Sequence, residues 1–241
     1  MPALPARLPR PARLLAAALV GVLLLVLASC SGGGSSSATV RPPREVLAAA
    51  KKKLDTTSGV RIRLSTKDLP QGTTGLTKAD GTGIHPPAFD GTISVSLSGN
   101  TFEVPVVAVN DKVYVQLPLT SGFQDVNPKA YGAPDPAQLM SADAGFSSLL
   151  TSTKGLTKGK SVRGGSDNAE ILTPYSGTVP DTAVKNVIPT AKGDFDATYT
   201  VDASGRLREA QLTGTFYPGS ASMTYTVTFD RYGSTKKITA P

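Results

Sequence analysis

The sequence predicts an α+β domain, a large twisted antiparallel sheet with helices packed on one face. Three observations carry that expectation. Residues 92–117 alternate apolar and polar side chains with period two, interrupted by two tight-turn signals. Three more runs of strand character, 195–201, 210–216 and 223–229, close the chain. Helix-period segments stand before and between these blocks instead of alternating with single strands, which argues against a parallel α/β sheet. The composition agrees: 24 Gly and 19 Pro in 241 residues, with no Trp, reads as β-rich with many turns.

The first 43 residues are of a different kind. Arg7, Arg10 and Arg13 stand without an acid, followed by an apolar or small run over 14–28. Leu27-Ala28-Ser29-Cys30 then leads into a Gly/Ser stretch over 31–37. A basic start, an apolar middle and small residues before a cut are the parts of a secretory signal peptide. The expected organisation is a signal segment over 1–29, Cys30 and a flexible tether over 30–43, and one domain over 44–241. Two other readings stay open: an apolar run that spans the membrane, although 15 residues is short against the roughly 20 a crossing helix needs, and an incidental free thiol. Cutting before Cys30 removes three basic residues and no acidic one, so the formal charge falls from +7 to +4. So small an excess gives no ground for a nucleic-acid partner. Cys30 is the single cysteine, so no disulfide braces the fold.

Residues 45–57 read as a helix, with Glu45 in the first turn, Ala48–Ala50 in the middle, Lys51–Lys53 near the C-terminal end and Gly59 as terminator. The lysines suit either a lipid headgroup patch or an ordinary solvated helix end. Val60 to Leu64, with Ile62 between, alternate as a half-buried strand. Residues 67–87 are expected to be a long loop on account of four glycines and three prolines, and they hold His85, the single histidine. The meander follows. Ile93, Val95 and Leu97, then Phe102, Val104 and Val106, then Val113, Val115 and Leu117 share one face, with turns at Ser98-Gly99-Asn100 and Asn110-Asp111. Pro105 requires a bulge or an unpaired position.

Residues 118–135 read as irregular. Asp135-Pro136 opens a short helix to Met140, and 143–153 a second, with Phe146, Leu149 and Leu150 on one side. Residues 154–165 are basic and Gly-rich; Gly159-Lys160-Ser161 lacks the earlier glycine of a phosphate loop, since Lys154 stands there. A strand is expected at 169–172, a helix at 180–187, a turn at Asp202–Gly205 and an edge strand at 236–239.

The chemistry-bearing residues are sparse. One histidine, no second thiol, no Gly-x-Ser-x-Gly elbow and no metal spacing leave little for a hydrolase, and neither metal nor cofactor is expected. A carboxylate enzyme built on Asp194, Asp196 and Asp202 stays open, although strand starts and turns are ordinary places for aspartate. The apolar sheet face also has two readings, a core filled by the helices or a cavity between helices and sheet that takes an apolar ligand.

The Leu-Ala-Ser-Cys end resembles the lipobox of bacterial lipoproteins, which implies a diacylglyceryl group on Cys30 and a mature chain beginning there. Phe89 to Leu97, Val106 to Leu117, and Ala133-Pro-Asp-Pro-Ala-Gln-Leu139 followed by Asp143-Ala-Gly-Phe-Ser-Ser-Leu-Leu150 resemble the LppX/LprA/LprF/LprG lipoproteins of mycobacteria and related actinobacteria. The likeness covers about residues 44–240 in element order, with a longer 67–87 loop here. It implies a half-barrel sheet with helices on its concave face, related in shape to LolA/LolB, and between them an apolar cavity for acylated lipid or glycolipid. The expected function is a non-enzymatic, membrane-anchored carrier at the outer face of the plasma membrane. Its expected partners are the lipid, the plasma membrane and a membrane lipid exporter. Ile62, Leu64, Ile93, Val95, Leu97, Phe102, Val104, Val106, Val113 and Val115 are the expected wall, and Ile93 matches a family position that lines the cavity. Phe146, Leu149 and Leu150 are the expected helical lid. The alternative is a surface adaptor or sensor with a solid core.

Overall fold

The structure, a computed structural model, describes residues 41–241. Cys30, the signal segment and most of the tether lie outside the described residues.

Helix α1 (Pro43–Asp55) precedes six strands: β1 (Gly59–Ser65), β2 (Gly75–Ile84), β3 (Ala88–Leu97), β4 (Asn100–Val109), β5 (Lys112–Val115) and β6 (Gln124–Val126). These pair in chain order as one antiparallel meander. Short 3₁₀ turns at Pro128–Tyr131 and Gln138–Met140 and the helix α2 (Ser148–Ser152) lead to the second half. There β7 (Lys154–Lys158) and β8 (Val162–Gly164) both pair with β9 (Glu170–Val179). Helix α3 (Asp181–Val187), β10 (Lys192–Asp202), β11 (Leu207–Thr215) and β12 (Met223–Asp230) follow. The two meanders join where β1 pairs with β12, giving the order β6-β5-β4-β3-β2-β1-β12-β11-β10-β9-β7 with β8 beside β9. The result is a large antiparallel half-barrel of 12 strands that does not close on itself, as the fold class expected.

This topology sends residues 127–153 from one edge of the sheet to the other. The segment crosses the helix-bearing face and is pinned on the way. Ala137 packs with Val104 and Val106, Met140 joins the main core, and the Phe146 ring lies 5.3 Å from that of Phe229. Thr153 ends the crossing. Its hydroxyl donates to Leu149 O at 2.7 Å and accepts from the buried Tyr199 hydroxyl at 3.1 Å. Burial pushes the Tyr199 phenol far above its ordinary pKa, so it remains a donor.

Three of the four glycines that suggested a loop over 67–87 instead belong to strand β2. Gly81 and Gly83 share one face, Gly75 lies beyond the register shift between Leu76 and Lys78, and each of the three accepts a large side chain at close quarters. A Cβ on Gly81 would lie 2.7 Å from Phe89 Cε2, and one on Gly83 would lie 2.8 Å from Met140 Cγ. Strand glycines mark close approach as well as turns. Across the pair, a Cβ on Gly91 would lie 2.6 Å from Gly81 Cα. Gly91→Ala therefore presses on backbone, with an expected loss of about 2–3 kcal/mol, whereas Gly83→Ala meets the pliant Met140 tip and loses about 1 kcal/mol or less. Urea midpoints of the two variants check the ranking.

Other elements also differ from expectation. The basic segment 154–165 forms β7 and β8, because β9 extends to ten residues and offers them an edge. The helix expected over 143–153 shrinks to five residues: Gly145 sits so tightly over residues 139–141 that its N–H bonds Ser141 O at 2.9 Å, and the following N–H of Phe146 bonds Leu139 O. Residues 236–239 form no strand. Instead Ile238 is buried against Ala88, Val107 and Val109 on the face opposite the helices, and Lys236 pairs with Asp90 at 2.8 Å. The turns at Ser98-Gly99 and Asn110-Asp111 have the positive φ values their residues suggested. Pro105 needs no bulge: its register with Thr92 is regular, and its carbonyl accepts from Gln116 N just beyond the end of β5.

The register shift between Leu76 and Lys78 in β2 is held by a closed ring of hydrogen bonds. Leu76 N–H donates to the Tyr217 hydroxyl at 2.9 Å, Tyr217 bonds Tyr225 at 2.7 Å, and Tyr225 donates to Leu76 O. Burial, then the Tyr217 bond, raise the Tyr225 pKa far beyond the ordinary range. Tyr225→Phe leaves a backbone carbonyl and a phenol short of a partner. Its expected cost is about 1–3 kcal/mol in urea unfolding.

Candidate functional site

One face of the sheet is apolar across most of its strands. Direct register partners form the row Val104–Ile93–Ala79–Leu64–Val227–Ala210–Tyr199–Tyr175 across eight strands. The helices cover the half built from β9 to β12 and β1. There Leu47, Leu54, Val60, Val184, Phe195 and Leu207 belong to the main core. A second, smaller cluster on β3–β5 holds Phe89, Val104, Val106, Ala108 and Val113, capped by Ala137.

Between the two clusters the face carries small residues. Ala79, Gly81 and Gly83 of β2 and Gly91 of β3 put no long side chain there; the Phe89 ring crosses Gly81 and the Met140 side chain lies against Gly83. Ile62 and Leu64 border this small-residue row, the trough, on one side and Ile93 and Val104 on the other, and Phe89 and Met140 pack into part of it. The trough runs towards the β3–β4 turn, where apolar side chains reach solvent: Leu97 is 50% exposed and Phe102 37%. Leu117 and Leu119 are exposed beyond the end of β5.

The expected wall residues do share this face, but they differ in access. Val104, Val106 and Val113 are buried in the second cluster, with Ile93 and Val115 half-buried on its flank. Ile62 and Leu64 are half-buried against the main core, Val95 is half-buried, and Leu97 and Phe102 are exposed. Ile93 faces Val104, Val95 faces Phe102 and Val106 faces Val115 as cross-strand pairs. Of the expected lid, Leu149 and Leu150 are fully buried in the main core and Phe146 is half-buried against it. Sequence reasoning missed Phe89, Ala79 and Met140. The even spacing of Gly81 and Gly83 was the available signal for β2, since it preserves the strand period.

Two depressions lie elsewhere, and none of the expected wall residues lines either. One, of about 320 Å³, sits between α1 and the turn after β10, with Arg41, Lys53, Val46 and Tyr175 around it. Burial raises the Tyr175 phenol pKa. The other, of about 870 Å³, lies on the sheet face away from the helices. The polar residues weighed for catalysis hold backbone. Asp194 accepts from Asp181 N at 2.8 Å, Asp202 accepts from Arg206 N at 2.9 Å, and His85 Nε2 lies 3.2 Å from Leu54 O. The lysine run is divided. Lys51 pairs with Asp55 at 2.6 Å and bonds Ala142 O, tying α1 to the crossing segment, while Lys52 is exposed. Among the described residues no helix is long and apolar enough to cross a membrane.

LprF from Mycobacterium bovis superposes with a TM-score of 0.65 at 14% identity, covering 83% of this chain and 96% of that one. The Mycobacterium tuberculosis lipoprotein LppX gives 0.60 at 18% identity, covering 81% and 97%. At such identities the likeness shows the fold. No curated protein matches the chain in sequence. Residues 42–239, nearly the whole of the described domain, match the LppX_LprAFG lipoprotein family, and the chain belongs to that family.

Proposed function

We propose that this protein is a membrane-anchored lipoprotein that binds acylated lipid or glycolipid on the apolar trough and carries it within the cell envelope. The observation that carries the reading is an apolar sheet face left half-covered beside a row of small residues. Ile93, Val95, Leu97 and Phe102 face outward there on the same side as the packed core. The domain of residues 44–241 is held by the tether over 30–43 to an acyl anchor on Cys30, after removal of 1–29. The chemistry needed is partition, not bond-breaking. Each buried methylene contributes about 0.8 kcal/mol in a bilayer or in an apolar protein site alike, so an acyl chain moves between the two with little net change. The headgroup stays at the open, solvent-facing end near the β3–β4 turn. A lipid exporter in the membrane is the partner that such a cycle calls for.

The solid packing around Leu149 and Leu150 favours a second reading, an adaptor or sensor module without cargo. Native mass spectrometry with lipid extraction, on the Cys30→Ser chain made in an actinobacterial host, separates the two. Acylated lipid at about one per chain is the expected result. A bare polypeptide mass, with no uptake of added glycolipid, selects the adaptor.

A further inference from the structure

The groove on the opposite face has a composition of its own. Arg61 and Arg63 alternate with the core-facing Ile62 and Leu64, so both point away from the helices. Register carries the floor across the sheet, from Arg63 to Thr228, Glu209, Thr200 and Pro174. The β8–β9 hairpin forms a wall through Val162 and Leu172, and an Arg208–Glu170 ion pair at 2.7 Å pins its base. The chain has eight arginines beyond residue 40, and four of them, Arg61, Arg63, Arg208 and Arg231, line this groove; none of its 14 lysines does.

We propose that this groove binds a phosphate group, carried either on a lipid headgroup or on a soluble ester. Arginine is the side chain whose fork of N–H donors fits oxyanions, and a lysine-free cluster of four points to recognition by hydrogen-bond geometry beyond bare charge. The donors are largely unspent. Of five N–H groups on each guanidinium, Arg61 gives two to Asp80, Arg63 one to Asp230 and Arg208 one to Glu170. Arg231 makes no ion pair among the described residues. Four arginines stand against Glu170, Glu209 and Asp230 of the lining and Asp80 beside Arg61, so the groove is close to neutral and its recognition rests on donor geometry. Glu170 and Asp230 each keep a second, buried oxygen without a partner beside these arginines. The surplus of donors from several strands exceeds what a two-oxygen carboxylate takes up and suits a phosphate. The volume, about 870 Å³, falls within the range of small-molecule sites, with Val162 and Leu172 beside it for a neighbouring apolar group.

Isothermal titration of the whole chain, purified from membranes in detergent at fixed ionic strength, tests this with inorganic pyrophosphate as probe. Saturable binding is expected, weakened at least fivefold by Arg63→Gln and by Arg231→Gln and unchanged by Lys52→Gln on the far face. Arg63 also holds Asp230, so Arg231→Gln, which breaks no ion pair, is the variant that reads binding apart from folding. No saturable heat, or equal weakening by Lys52→Gln, overturns the proposal. With binding established, tighter uptake of dihexanoyl phosphatidylglycerol than of glycerol 3-phosphate assigns a lipid headgroup, and the reverse assigns a soluble ester. Loss of cargo from the trough on the other face leaves these outcomes untouched.

Discussion

Leu149→Ala and Leu150→Ala should each destabilise the domain by about 2–5 kcal/mol, the cost of deleting buried methylenes and leaving a cavity that relaxes only in part. Both side chains are fully buried, on a five-residue helix that cannot hold itself together locally. Their surroundings are rigid. The Thr153–Tyr199 bond fixes the next residues to β10, and Lys51 reaches from α1 to Ala142 O on the preceding turn. The same truncation at a lid over an open cavity would remove few contacts and cost little. Urea unfolding with tyrosine fluorescence decides between these pictures. Midpoint losses matching several kcal/mol make this part of the crossing segment structural, and near-native midpoints make it a lid with space beneath.

That contrast also marks how far the sequence reaches. Alternation in 92–117 named every strand of the β3–β5 meander and the face each side chain takes, because antiparallel pairing with a period of two admits one solution once one side is buried. The turn residues Ser98-Gly99 and Asn110-Asp111 set the register. Asp135 was legible as a turn former, its carboxylate accepting from Ala137 N at 2.8 Å, but the expected helix shrinks to the 3₁₀ turn Gln138–Met140, with Ala137 at its N-cap. Strand β2 was not legible as a strand, because Gly81 and Gly83 signal punctuation locally and close approach only once Phe89 and Met140 are in place. Strands β7 and β8 were hidden for a related reason: Lys154, Lys158 and Gly159 have little strand propensity, and the long β9 edge supplies the order. Within the candidate site, periodicity gave the face and not the depth. Val104 and Leu97 obey the same pattern, yet one is buried and the other is 50% exposed. What divides them is the path of residues 127–153 over the sheet, a long-range fact with no local signature.

Ile93→Trp should abolish lipid occupancy, by roughly tenfold or more in extracted lipid per chain, with little change in unfolding midpoint. Ile93 is half-buried and sits between Ala79 of β2 and Val104 of β4. An indole there meets only the methyl group of the half-buried Ala79 on the neighbouring strand, and its bulk enters the trough. Overpacking a closed core with added atoms costs about 1–3 kcal/mol; at a half-open position most of that strain is relieved into the space an acyl chain would use. Ser96→Trp provides the comparison. Ser96 lies on the same strand, three residues on, and points to the opposite face, so its variant adds the same ring without entering the trough. Loss of lipid in Ile93→Trp and retention in Ser96→Trp places the acyl chain on the helix-bearing side, beside β2 and β3. Full occupancy in both variants removes Ile93 from the wall and returns the apolar face to the role of a core. A large drop in the Ile93→Trp midpoint says that the small-residue row is already filled, and that the trough closes in solution.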